Sequence, residues 1–167
     1  SLEKLHQFKK IIIGGAKVSD DLAKKLKEIK SDIYETYGMT ETITHIAAKK
    51  IGEEFFTILE HVAISTDDRN CLVIEVPSIS DEEIVTNDIV EILNDKQFKW
   101  IGRYDNVINS GGIKLFPEQI EAKLASKIKN RFFITSQPDA VLGSKVVLVI
   151  EGEKRDIDSS IFNSLEK

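Results

Sequence analysis

The chain has 167 residues, of which 41% are hydrophobic and 31% charged, with a formal net charge of -5. This composition excludes a disordered chain and, with no long basic run, a nucleic-acid binder. The apolar runs, Ile11–Ile13 and Val146–Ile150, are strand-length, far short of the roughly 20 residues of a membrane span, and the single cysteine, Cys71, excludes an intrachain disulfide.

The length suits one medium domain or two small ones. No leader pattern opens the chain, so a cytoplasmic, soluble protein is expected. It begins without an initiator methionine, enters a strand almost at once and ends in a charged stretch, as a piece cut from a longer polypeptide would.

Taken in order, the β-branched run Ile11–Ile13 predicts a strand stopped by Gly14-Gly15. Ser19 is a natural N-cap. Asp20 and Asp21 follow in the first turn, and Leu22, Leu26 and Ile29 recur at helical spacing, which predicts a helix over about 20–30. The segment from Ile33 to Thr44 has no clean period and is expected to be a strand passing into a loop. Phe55–Leu59, Val62–Ser65, Cys71–Val76, Ile84–Leu93 and Phe98–Ile101 are further predicted strands, short and evenly spaced as in a small antiparallel barrel or sandwich. Gly102 to Asn106 is the expected domain boundary. Beyond it come a strand at Val107–Ile108, a turn at Gly111-Gly112, a helix opened by Pro117 and carrying Ile120, Leu124 and Ile128, strands at Phe132–Thr135 and Val146–Ile150, and a last helix at Asp156–Leu165. The expected class is α+β: a strand-rich, barrel-like part over 1–103, then a small α+β domain over 104–167.

Four clusters carry polar chemistry: Gly14-Gly15-Ala16, Tyr37-Gly38-Met39-Thr40-Glu41, Thr86-Asn87-Asp88, and Gly102-Arg103-Tyr104-Asp105 leading to Gly111-Gly112-Ile113-Lys114. An aromatic ring such as Tyr37 stacks on a base, and a hydroxyl such as Thr40 donates to a phosphate oxygen. A carboxylate such as Glu41 is a hard ligand for Mg²⁺, and one such as Asp88 accepts from both ribose hydroxyls. Arg103 adds a charge-assisted bond. Singly, each residue fits a plainer reading: Tyr37 and Met39 as packing, Glu41 and Arg103 as solvated charges, Asp88 as a turn residue. Together they suit a nucleoside monophosphate with a metal. His45, His61 and Cys71 read as strand or turn residues, Cys71 as a buried small hydrophobe. No His/Cys spacing matches a zinc site.

The ordered set Gly-Gly-Ala, Tyr-Gly-Met-Thr-Glu, Thr-x-Asp and Gly-Arg-x-Asp-x-x-Ile-x-x-Gly-Gly-x-Lys-x-x-Pro-Glu resembles the motifs of the adenylate-forming superfamily, from about Ile11 to Glu121. Within it, Thr40-Glu41-Thr42 running into Thr44-His45-Ile46-Ala47, the compact stretch up to Asp88, and Asp105-Asn106-Val107-Ile108-Asn109-Ser110-Gly111-Gly112 look most like the o-succinylbenzoate–CoA ligases of menaquinone biosynthesis.

The resemblance implies a ligase that activates a small carboxylic acid with ATP, forming an acyl-adenylate, and passes it to CoA. Mg²⁺ and ATP/AMP would be cofactors and CoA the co-substrate. It implies that Gly14, Gly15 and Ala16 lie along the adenine and acyl pocket. Tyr37 would flank adenine, Thr40 would touch the α-phosphate, Glu41 would hold Mg²⁺, and Asp88 and Arg103 would bind ribose. His45 would lie towards the acid substrate and Asp105 would be a hinge for the tail domain. Gly111, Gly112 and Lys114 would belong to the face met by the CoA thiol. The upstream phosphate loop of the superfamily is absent from this sequence, and neither Lys154 nor Lys167 has the Gly-Lys context of its carboxy-terminal lysine. The chain alone is therefore expected to be inactive, to need an amino-terminal half of the same polypeptide, and to self-associate as a homo-oligomer through an apolar face. The alternatives are an adenylation domain of another acyl-CoA or peptide synthetase, and a non-catalytic nucleotide-binding module.

Overall fold

The computed structural model describes residues 2–153 and 156–165; Lys154 and Lys167 lie outside them. Two compact units divide the chain, Ser1–Trp100 and Ile101–Lys167.

The first unit opens with a 3₁₀ helix at Leu2–Gln7, where the sequence predicts direct entry into a strand. β1 (Lys10–Ile13) follows, then α1 (Asp20–Lys27), whose Ser19 cap accepts a bond from the Leu22 amide. The helix stops before the expected Lys30 because its end tightens: the Ile29 amide bonds Leu26 three residues back. β2 (Asp32–Gly38) returns parallel to β1, so β1–α1–β2 is a crossover unit. The remaining strands of the sheet are β3 (His45–Lys50), β4 (Phe56–Ile58), β5 (Ala63–Thr66), β6 (Cys71–Glu75), β7 (Ile84–Asn94) and β8 (Gln97–Arg103). All eight join one sheet in the order β1-β2-β3-β4-β8-β7-β6-β5. The α+β class holds, and the short strands from Phe56 onward belong to a single sheet with two end strands, β1 and β5.

The sheet is covered on both faces at β6, where four consecutive residues, Cys71 to Ile74, are buried. Ile46, Phe56, Leu72, Ile74 and Phe98 form the main core of this unit, and Val18, Leu26, Ile33 and Ile51 form a second under α1. Cys71 is wholly buried, as its place at the head of an apolar strand predicts. Phe98 and Phe56 stack with centroids 5.5 Å apart, and Tyr37 meets Phe98 edge-on at 5.2 Å.

In the second unit, β9 (Ile108–Ser110) and β10 (Ile113–Leu115) form a hairpin. Gly111 and Gly112 turn it with φ of 58° and 84°, the positive pair that a two-residue turn needs. α2 (Pro117–Leu124) carries proline in its first turn and lies against β11 (Phe132–Asp139), which pairs antiparallel with β12 (Gly143–Ile150). Ile128 lies past the end of α2 yet packs with Ile108, Leu124 and Ile134. The predicted last helix is a 3₁₀ helix at Ser159–Ser164: the Asp158 carboxylate takes the Ser160 amide, so turning starts there and not at Asp156.

Gly38 shows why the Tyr-Gly pair is needed. The β2–β3 register shifts between Tyr37 and Gly38, and a methyl group at position 38 would sit 2.5 Å from the Thr44 carbonyl oxygen and 3.0 Å from the His45 Cα. Backbone has nowhere to go, so Gly38→Ala should destabilise the first unit by about 1–3 kcal/mol, read as a lower urea midpoint with an unchanged slope.

Candidate active site

The sheet of the first unit gathers three of the four motif clusters. β1 ends at Ile13 and delivers Gly14, Gly15 and Ala16 as an exposed loop. Gly15 has φ of 92°, and a methyl at Gly14 would stand 2.7 Å from the Thr36 Oγ1 and 3.8 Å from the His45 ring. The glycine loop, Thr36 on β2 and His45 at the start of β3 are thus neighbours.

Val18 ties this loop to the sheet. Its amide donates to Glu35 Oε1 at 3.0 Å, and Glu35 Oε2 pairs with Lys49 Nζ at 3.3 Å, the two side chains being only 9% and 15% exposed. Burying a carboxylate without partners is costly, so this pair holds β2, β3 and the loop in one arrangement. Lys49 also lies over the Phe56 ring, 4.6 Å from its centroid.

Two residues along β2 from Glu35, on the same face, Tyr37 donates from its hydroxyl to Asp88 Oδ2 at 2.6 Å. Residues 51 positions apart are thereby joined, one from the second cluster and one from the third. With its ring packed on Phe98 and Phe56, Tyr37 orients Asp88.

Thr40 and Glu41 lie exposed on a 3₁₀ turn, Thr40–Thr42. The turn is held by Thr42, which is wholly buried: its Oγ1 accepts from the Met39 amide at 3.0 Å and lies 2.8 Å from the Thr44 carbonyl. Ile43, next in the chain, has φ of 60° and is 80% exposed, an unusual backbone for a β-branched residue. Among the described residues no group of three or more His, Cys, Asp or Glu side chains forms a metal cage. A single carboxylate such as Glu41 still suits Mg²⁺ carried on substrate phosphates, since that ion keeps water and takes one or two protein oxygens.

The fourth cluster lies in the second unit or at its edge. Arg103 Nη2 and Asp105 Oδ2 are 3.3 Å apart and both exposed, so water screens their pairing. Asp105 sits in a 3₁₀ turn, Tyr104–Asn106, which is pinned where Asn106 Nδ2 donates to Glu118 Oε1 at 2.6 Å. A methyl on the buried Gly102 would lie 2.7 Å from the other Glu118 oxygen. The Gly111 amide donates to the Leu142 carbonyl at 2.9 Å, and Lys114 stands exposed on β10 beside an apolar cleft of about 560 Å³ lined also by Phe116, Ile120 and Val146.

Sequence reasoning missed Glu35, Lys49, Thr42 and Arg69. Thr42 appeared only inside the Thr40-Glu41-Thr42 motif, and the three charged residues gave no signal, because a charge inside a strand or turn reads as solvated until its partner is known.

No protein-family model matches the chain. Among curated proteins it is similar to the 3,4-dihydroxybenzoate–[aryl-carrier protein] ligase of Bacillus anthracis, 32% identical over 118 residues that make up 69% of this chain and 28% of that protein. It is also similar to the 2-succinylbenzoate–CoA ligase of Haemophilus influenzae, 23% identical over 92% of this chain and 37% of that protein. Of solved structures, an acyl-CoA synthetase (AMP-forming)/AMP-acid ligase II-like protein from Dyadobacter fermentans is 38% identical over 93% of this chain and 46% of that one, with a TM-score of 0.56. The o-succinylbenzoate CoA synthetase of Bacillus subtilis, solved with the acyl-adenylate intermediate OSB-AMP, shares the fold at a TM-score of 0.73 and 16% identity, over 98% of this chain and 41% of that one. The chain belongs to the adenylate-forming superfamily, among the AMP-forming acyl-CoA and aryl-acid ligases. It spans about a third of the length of the curated relatives it matches.

The turn that leads into β6 supplies an acid-sensitive element. Desolvation pushes the Asp67 carboxyl up, but the Cys71 and Arg69 amides and the Arg69 guanidinium outweigh it and hold the group below the ordinary aspartate value. The unfolded chain therefore takes up this proton first, and the stability from Asp67 is complete above the ordinary value and drains as pH falls through the folded one. Urea midpoints of the wild-type chain should fall on acidification through that window, and those of Asp67→Asn should fall less steeply.

Proposed function

We propose that the chain is the ribose-binding and hinge part of an AMP-forming acid–CoA ligase whose acid is o-succinylbenzoate. The observation that carries this reading is the Tyr37–Asp88 hydrogen bond, which brings two separated nucleotide motifs to one place on the sheet. The similarity to 2-succinylbenzoate–CoA ligase over nearly the whole chain supports the choice of acid.

In this reading Gly14, Gly15 and Ala16 border the adenine and acyl group, with His45 beside Gly14 on the acid's side. Asp88, oriented by Tyr37, accepts from the ribose hydroxyls, and Arg103 adds a charged donor. Thr40 donates to the α-phosphate, and Glu41 holds Mg²⁺ brought by ATP. Negative charge grows on phosphorus as the carboxylate attacks and pyrophosphate leaves, so donors fixed in place lower the barrier. The adenylate then meets the CoA thiol. Presenting a second face for that step is the work of a hinge at Asp105, with Gly111, Gly112 and Lys114 on the face presented. The boundary between the nucleotide-binding part and the mobile part falls at residues 103–104. The remaining length of the relatives supplies an amino-terminal half with the triphosphate loop, so the 167-residue chain alone does not turn over, and self-associates. The setting is the cytoplasm, in menaquinone biosynthesis. Among the described residues no helix is long and apolar enough to cross a membrane.

A second reading has a specific observation behind it. The relative at 32% identity is named for an aryl acid and a carrier protein, which makes a dihydroxybenzoate and a carrier-bound thiol the competing pair of substrates.

Pyrophosphate release by the full-length polypeptide, measured with ATP, Mg²⁺ and each acid, separates these readings. Release with o-succinylbenzoate and formation of its CoA thioester supports the first; release with 3,4-dihydroxybenzoate alone replaces it by the second. In the active polypeptide Asp88→Ala should lower kcat/KM for ATP by about 10- to 100-fold, the loss of a hydrogen bond to a charged group.

A further inference from the structure

The Thr86-Asn87-Asp88 segment is not a regular stretch of strand. Val73 pairs with Val85 and Cys71 with Ile89, so three residues of β7 stand opposite the single residue Leu72 of β6. Such a bulge breaks the ladder locally and re-aims the side chains in it. Its backbone and side-chain oxygens on the β6 side need another donor, because polar groups in a half-buried sheet are rarely left without one.

Arg69, in the turn between β5 and β6, is that donor. Its Nη2 donates to the Thr86 carbonyl at 3.2 Å and its Nη1 to Asn87 Oδ1 at 2.9 Å. The guanidinium is itself fixed by Asp67, whose Oδ2 accepts from Nε at 2.7 Å and pairs with Nη2 at 2.7 Å. Asp67 is fixed in turn, since its Oδ1 accepts from the Arg69 and Cys71 amides, both at 2.9 Å. Within the bulge, the Asp88 amide donates to Thr86 Oγ1 at 3.0 Å. The planar fork thus holds the two residues that precede Asp88, while Tyr37 holds its carboxylate from the other side.

We propose that Arg69 is a positioning residue for ribose recognition: by occupying the acceptors of the β7 bulge at Thr86 and Asn87, it sets the direction in which Asp88 meets the two ribose hydroxyls. The inference rests on the reading of Asp88 as the ribose acceptor. A lysine, with a point charge and no fork, reaches one of the acceptors but not the set.

The test is nucleotide binding by the full-length polypeptide, measured by ligand-detected NMR titration with AMP and with 2′,3′-dideoxy-AMP, which differ only in the groups Asp88 would bind. The wild-type polypeptide should prefer AMP by about tenfold or more. Arg69→Ala should lose most of that preference by weakening AMP while leaving the dideoxy nucleotide nearly unchanged, Arg69→Lys should keep part of it, and Asn87→Ala, which leaves the Arg69–Asp67 pair intact, should also reduce it. Asp88→Ala should abolish it. If Asp88→Ala abolishes the preference and Arg69→Ala and Asn87→Ala retain it, Asp88 binds ribose and the role of Arg69 is overturned. An Arg69→Ala polypeptide that weakens both nucleotides equally also overturns it, as the mark of a general structural defect. Should Arg69→Ala fail to fold, Arg69→Lys and Asn87→Ala decide the matter by the same ratio. A wild-type polypeptide that does not distinguish the two nucleotides overturns the ribose reading and this inference with it.

Discussion

A carboxylate withdrawn from water is the constraint around which the first unit is arranged. Glu35 is 7% exposed, and at that depth it needs both a cation and a donor. It finds the cation in Lys49, its direct partner across the β2–β3 ladder, and the donor in the Val18 amide. Meeting both needs forces the loop after β1 to lie against β2. The Gly14-Gly15-Ala16 segment therefore has a fixed end, although its own residues are exposed and short of side chains.

From Glu35 the contacts run on without a gap. Lys49 covers the Phe56 ring, Phe56 stacks on Phe98, Phe98 meets Tyr37 edge-on, and Tyr37 bonds Asp88. An apolar aromatic group in the middle of a polar chain has two effects. It lowers the local dielectric, which strengthens the Tyr37–Asp88 bond, and it keeps the tyrosine in one rotamer. The exposed Thr40–Thr42 turn is ordered by a different device, a buried threonine hydroxyl that satisfies backbone groups on either side of the strained Ile43. Core packing, buried charge and backbone capping thus each hold a separate piece of the candidate site.

The second unit is simpler and more local. Its hairpin is turned by two glycines, its helix is opened by a proline, and its core is Ile108, Leu124, Ile128 and Ile134. Its motif residues, Arg103, Asp105 and Lys114, are exposed and screened, which suits groups that exchange partners better than groups that hold a scaffold.

Much of this was readable in the amino-acid order. Ser19 with Asp20 and Asp21 announces α1, Gly111-Gly112 a tight hairpin and Pro117 a helix start, because capping and turn chemistry act within a few residues. The ordered motifs carried the superfamily, and the apolar strands carried the core. Beyond local reach, the order of residues says nothing of partners. Arg69 reads as a turn charge, Glu35 as a polar residue in a strand and Tyr37 as a ring in search of a base. Register decides otherwise: which side chains meet is set by how the strands align, and at the β7 bulge three residues, Asp88 among them, stand opposite one. Only the assembled sheet could pair Glu35 with Lys49 across neighbouring strands, Tyr37 with Asp88 across strands that are not neighbours, and Arg69 in a turn with Asn87 on β7, since these partners are distant in the chain and the folded sheet alone brings them within reach.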